Sequence, residues 1–260
     1  MANSSTTGSP TNLPTPYLSI GAFVTITVLY SIAKYMTNES KAALIFFIYI
    51  LALLCSAFFF NLHISTQVCG SPQTSTVLFV TLLPWLIIFG LLNVALIMFP
   101  GWLKPFSNTF GYGIAKLRHL QTAFNDVLKP KNSIKGNVAL SKALEDIYND
   151  PSLLINEIPN ANVGFDTFWS ESKDILRPDV TAAAKERLRD LVKLKNIVAQ
   201  FMWFLLTGIL TISASYNFML QSSCSNSVQE MQARHNEYEQ EMAADDTKLD
   251  PTPRVYTSYE

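Results

Sequence analysis

The sequence predicts an all-α integral membrane protein: four transmembrane helices, a small and mainly helical polar domain between the third and fourth, and an extended C-terminal tail. Three observations lead there. Charged residues make up 15% of the 260-residue chain, where a soluble domain carries roughly a quarter. Apolar residues gather into four runs, 17–36, 42–62, 76–99 and 197–220, which are 20, 21, 24 and 24 residues long. About 20 suffice to cross the hydrocarbon, and backbone groups in lipid must be satisfied within the segment, so each run should be helical. Residues 100–195 carry 14 basic and 11 acidic side chains, the density of a segment that faces water. This composition excludes a soluble cytosolic enzyme. With 19 Lys and Arg against 20 Asp and Glu, no net basic charge calls for nucleic acid, and no nucleic-acid partner is expected.

Taken in order, residues 1–16 are a flexible polar N-terminus of Ser, Thr, Asn and Pro without a basic side chain, so the n-region of a cleavable signal is missing and the first span reads as an uncleaved helix. Lys34 and Lys41 bracket a short turn that makes the first two spans a hairpin. Lys104 follows the third span, and Lys185, Arg187, Arg189, Lys193 and Lys195 precede the fourth, whereas 61–75 holds no Lys or Arg. The positive-inside rule then puts the first loop and the polar domain on the cytosolic face, and both termini across the membrane. Cys69 and Cys224 lie just outside span ends on that far face, where a disulfide between them is expected.

Within 100–195 the spacing predicts a Pro- and Gly-punctuated elbow at Pro100–Tyr112, then helices over 114–128 and 139–148, with irregular chain at 153–163. Phe165, Phe168 and Trp169 are candidates for the core of the domain. Pro178 suits a first helical position, and an unbroken helix over 178–220 would reach roughly 65 Å as a stalk, its basic side chains facing lipid phosphates or a docked protein. Residues 221–260 form an acidic tail of eight acidic and three basic side chains, with one helix expected at 228–244. Sequons at Asn3 and Asn38 complete the local signals, the second on the unfavourable face.

Signatures of chemistry are few. His63, His119 and His235 fall in separate segments, no phosphate-binding loop or nucleophile motif occurs, and the span centres hold no ionisable residue of the kind that marks a transport path. The expectation is a non-enzyme with no cofactor, no catalytic residue and no metal site. Thr109-Phe110-Gly111-Tyr112-Gly113 looks like a potassium-channel filter, but the preceding Pro100, Gly101 and Pro105 and the following Lys116, Arg118 and His119 are wrong for a pore loop. A small viral or cellular membrane channel is therefore the alternative reading. As a structural elbow, Pro100 ends the span, Trp102 belongs at the interface, Ser107, Asn108 or Thr109 can cap the next helix, and Phe106, Phe110 and Tyr112 lie against headgroups.

The phrase Pro100, Gly101, Trp102, Leu103, Lys104, Pro105, Phe106, Ser107, Asn108, Thr109, Phe110, Gly111 and Tyr112, following a third apolar span, resembles multispanning virion membrane proteins of nucleocytoplasmic large DNA viruses of the chlorella virus type. The resemblance implies a minor capsid component in the internal viral membrane, which derives from host endoplasmic reticulum during assembly. Its implied partners are the lipid bilayer, major or minor capsid proteins and other virion membrane proteins. Phe165, Trp169, Lys173 and Arg177 are the candidate protein-binding surface, because Trp and Arg are frequent energetic centres of interfaces.

Overall fold

A computed structural model describes residues 16–37, 39–131, 133, 137–222, 224 and 228–246. The chain is an all-α membrane protein with four helices long and apolar enough to span a bilayer. The first three are α1 (Tyr17–Met36), α2 (Ala42–Cys69) and α3 (Thr74–Met98). A helical run at 100–117, here α4, leads into the polar domain of α5 (Leu120–Val127), α6 (Val138–Asn149), α7 (Ser152–Ile155) and α8 (Val163–Glu171). The fourth spanning helix, α9 (Ala182–Gln221), is followed by α10 (Val228–Asp246).

Two hydrophobic cores lie along α9, that of the polar domain and that of the bundle, the latter including a separate cluster of Ile64, Val77, Val80 and Met219. In the bundle, Phe23, Tyr30, Tyr49, Trp85, Phe89 and Phe204 pack together. Tyr30 stacks on Tyr49 at 4.2 Å, and Tyr49 on Phe204 at 5.6 Å, so aromatic rings fill the space between the spans at this depth. In the polar domain, Leu120, Phe124, Leu144, Ile155, Ile158 and Phe165 close around Leu188, Leu191 and Val192 of α9. One helix therefore contributes to both cores.

Small and polar residues knit the spans where hydrophobicity gives no preference between lipid and protein. Asn61 donates to Thr81 Oγ1 and Ser215 Oγ, both at 2.8 Å, and the Ser215 hydroxyl donates to the Val80 carbonyl at 3.0 Å. A single buried amide thus ties α2, α3 and α9. Gly208 faces the Phe23 ring so closely that a Cβ there would overlap it.

Several expectations need correction. The second run extends past 62 to Cys69, where Gly70 in the left-handed region (φ 70°) stops it. The third span contains Pro84, whose missing N–H leaves the Val80 carbonyl to accept from the Ser215 hydroxyl at 3.0 Å, and a π-helical stretch, Trp85–Gly90, follows it. The elbow is itself helical, so helix begins at Pro100 rather than at the expected Ile114. It comprises a 3-10 turn at Pro100–Leu103, a short α turn at Lys104–Phe106, a π stretch at Ser107–Gly111 and an α turn at Tyr112–Leu117.

The helix expected over 114–128 is split at His119, whose left-handed backbone (φ 63°) turns the chain between α4 and α5. Residues 153–163 are not wholly irregular, since they begin inside α7. Pro178 lies outside α9, and Thr181 is the N-cap, its side chain accepting from the Ala184 N–H at 3.2 Å. The helix is thus 40 residues long and not a free stalk, because Leu188, Leu191 and Val192 are buried in the polar core. The tail helix ends at Asp246, and the remainder of the tail, with Asn3 and Asn38, lies outside the described residues.

Candidate functional site at the junction of bundle and polar domain

The most densely bonded polar region is where α9 leaves the bundle. Helix α4 runs antiparallel beside it, with Phe106 edge-on to Trp203 at 6.1 Å and Gly111 against the backbone of Lys195. Ser107, Gly111 and Ala115 form the buried face of α4, and these small side chains permit the close approach. At Gly111 a Cβ would strike the Lys195 carbonyl oxygen and lie 2.8 Å from Lys195 Cγ.

Lys195 is 1% exposed and turns into the polar domain. Its ammonium donates to the Ile155 carbonyl at 2.8 Å and Asn156 Oδ1 at 3.2 Å. Burial lowers its pKa from 10.5 to about 8, against the opposing pull of Glu157. The adjacent Asn196 accepts from Ser107 Oγ at 3.2 Å and donates to the Pro159 carbonyl at 3.1 Å. Lys193 donates to the Tyr35 carbonyl at 2.8 Å at the end of α1, and Lys34 donates to Gln200 Oε1. About two consecutive turns of α9 are thus fastened to the α1 end, to α4 and to the 155–159 loop.

The basic residues farther along α9 also have partners within the chain. Arg189 pairs with Asp166 at 2.7 Å and lies over the Phe165 ring, Lys185 lies over Trp169, and Arg187 pairs with Asp126 at 3.6 Å. They hold α8 and α5 to α9, a role sequence reasoning divided between lipid and a docked protein.

The elbow residues are distributed differently from expectation. Ser107 is buried inside a helical run and bonds Asn196, while Asn108 and Thr109 are exposed, and none of the three caps a helix. Phe106 packs on Trp203, and Tyr112 packs against the polar core, so of the three aromatic residues assigned to headgroups only Phe110 is exposed. Trp102 stacks with Phe99 at 5.5 Å, Gly101 and Pro105 are exposed, and Pro100 opens the 3-10 turn after the third span.

The proposed protein-binding set is not one surface. Phe165 is fully buried and cannot meet a partner, Trp169 stacks on it at 5.7 Å, and Arg177 donates through Nε to the Leu128 carbonyl at 3.0 Å, which leaves Lys173 as the exposed member. Cys69 and Cys224 are joined by a disulfide with Cα atoms 5.4 Å apart. Among the described residues no group of three or more His, Cys, Asp or Glu side chains is arranged to hold a metal. Neither a protein-family model, nor a curated protein, nor a solved structure matches the chain.

Sequence reasoning placed Gly111 in the elbow and Lys195 in the basic cluster without their contact, and missed the Asn61 node. Thr207, Thr211 and Ser215, all buried, repeat every fourth residue of α9 beside buried Phe204, Gly208 and Ile212, a periodic signal that marks its bundle-facing side.

The disulfide closes a separation of 155 residues and ties α2 to the chain after α9. Cys69→Ser together with Cys224→Ser should lower stability by about 2 to 5 kcal/mol in the chain-entropy picture. Thermal unfolding of detergent-purified protein, with and without reductant, checks this. Mass spectrometry finding both thiols alkylatable without reduction would remove the premise.

Proposed function

We propose that this chain is a non-catalytic structural protein that anchors a protein shell to a membrane, as a minor capsid component of an internal viral membrane. The observation that carries the reading is the sharing of α9 by both cores: Phe204 and Ile212 lie in the bundle, Leu188 and Val192 in the polar domain. A displacement of the domain is then transmitted to the bundle through an unbroken helix and the bonds at Lys195 and Asn196, rather than absorbed by a linker. The resemblance of the Pro100–Tyr112 phrase to virion membrane proteins supplies the kind of shell. The bilayer, capsid proteins and neighbouring virion membrane proteins are the partners in this reading, and the internal membrane derived from host endoplasmic reticulum is its place. The exposed, acidic α10 and the polar domain offer surface for such partners on opposite faces.

In-particle cross-linking followed by mass spectrometry tests the proposal. Cross-links from Lys173, Lys142 or α10 to shell protein are the expected result. Purified particles in which this chain is absent, or in which its cross-links reach lipid and copies of itself alone, would overturn it.

A further inference from the structure

Helix α4 is pinned to α9 on one side and bare on the other. Phe110, Ile114 and Leu117 follow one another at helical spacing on its outer face, and Leu117 is 75% exposed. Between this stripe and exposed Val94, Ile97 and Met98 at the end of the third span, Phe99 and Trp102 are also exposed. Lys104, Lys116 and Arg118 are exposed along the same run. The exposed carboxylate of Asp150, held chiefly by its hydrogen bonds from Ser152, also feels the charge of Lys116 and is an acidic neighbour of this cluster.

The height of the stripe relative to the bilayer follows from contacts. Gly111 lies against Lys195, and Lys193, half a turn away, donates to the carbonyls of Tyr35 and Thr37 at 2.8 and 3.5 Å. The α1–α2 turn, where the apolar runs end, therefore stands level with Gly111. Ile114 and Leu117 come three and six residues later, roughly 4.5 and 9 Å farther out at about 1.5 Å per residue. The headgroup layer is roughly 5 to 8 Å deep on each side of the hydrocarbon. Helical side chains lean toward the N-terminus, which for α4 is the membrane end, so the Leu117 side chain reaches back into that layer.

We propose that the outer face of α4 is a seat for anionic phospholipid headgroups, with Phe110, Ile114 and Leu117 entering the layer and Lys116 and Arg118 meeting its phosphates. Apolar residues inserted at the acyl boundary beside basic side chains are the chemistry of an interfacial helix. Because the other face of α4 grips α9 at Gly111, lipid bound here fixes the tilt of the polar domain against the membrane. The seat rests on the membrane-spanning fold and not on shell anchoring, so the two readings fail separately.

The test uses the full chain carrying Cys55→Ser and either Leu117→Cys or, as a control on α6, Val138→Cys, which replaces a residue 85% exposed. Each is labelled with an environment-sensitive fluorophore and reconstituted into nanodiscs of phosphatidylcholine alone or mixed with phosphatidylserine. The expected result is a blue-shifted position-117 label, quenched by spin-labelled lipid more strongly when phosphatidylserine is present, with the position-138 label remaining aqueous. Changing Lys116 and Arg118 together to Gln should cut the retention of phosphatidylserine over phosphatidylcholine at least tenfold, since each basic residue near an anionic surface contributes roughly fivefold. A position-117 label as aqueous as that at 138 in both nanodiscs would overturn the seat. Equal quenching in the two compositions would overturn its anionic preference. A label that is aqueous in nanodiscs and shielded only in native particles would assign the stripe to a protein instead.

Discussion

Gly111→Val should loosen the polar domain from the membrane bundle, whereas Gly113→Ala, two residues away, should leave it intact or slightly stabilise it. A Cβ at position 111 meets the Lys195 carbonyl oxygen, a backbone atom that cannot rotate aside, while nothing lies within 4 Å of a Cβ at 113. Overpacking of this kind costs about 1 to 3 kcal/mol, and contact with backbone rather than a side-chain tip puts this site toward the upper end. At 113 the substitution removes a helical glycine in open space, worth up to about 1 kcal/mol in favour of alanine. Hydrogen exchange read at 152–160 checks the first effect, because Lys195 and Asn196 hold that loop through Ile155, Asn156 and Pro159. Faster exchange there, together with a lower unfolding temperature, is expected for Gly111→Val alone. The pair also separates this packing role from the ion-filter reading of the same glycines, in which both would be needed. Equal behaviour of the two variants would remove the packing account.

The spans were legible because bilayer crossing imposes a length and a composition that few other structures need. Tyr17–Met36 coincides with its apolar run, and α2 begins at the expected Ala42. What ran past expectation was polar: 63–69 continues as helix because hydropathy ends at the interface while backbone hydrogen bonding does not. Pro and Gly misled at 100–112, where they read as turn signals although Pro105 sits in a first helical turn and Gly111 is required by helix contact, not by a bend. His119 carried no signal at all, since a left-handed histidine is set by the packing of α4 and α5 on α9 rather than by its own preference. The junction was opaque for the same reason: Lys195 belongs to a basic cluster that reads as a membrane-edge feature, and only the fold turns it inward.

That inward turn makes stability rise with pH, as in acid denaturation, but in an alkaline window set by a buried lysine rather than by carboxylates. Lys195 has its pKa lowered to about 8 in the folded chain, against 10.5 when unfolded. Below about pH 8 the group is protonated in both states, and the cost of burying its charge is fully present. Between about 8 and 10.5 the unfolded chain binds more protons than the folded one, so stability rises with pH across that window and levels off above it. A shift of this size corresponds to at most about 3 kcal/mol. Exposed tyrosines and lysines titrate in the same range, so the contribution is read as a difference from Lys195→Met, which fills the space without a charge. At neutral pH the methionine variant escapes the charge burial but leaves the Ile155 carbonyl without its donor, two effects of about 1 to 3 kcal/mol that oppose each other. As pH rises the first advantage disappears, and the wild-type chain should gain on the variant by about 2 to 3 kcal/mol. Chemical unfolding in detergent from pH 7 to 11, fitted for both chains, measures the gap. Parallel profiles would mean that Lys195 titrates as a solvent-exposed lysine, and the buried bond to the 155–159 loop would have to be abandoned with it.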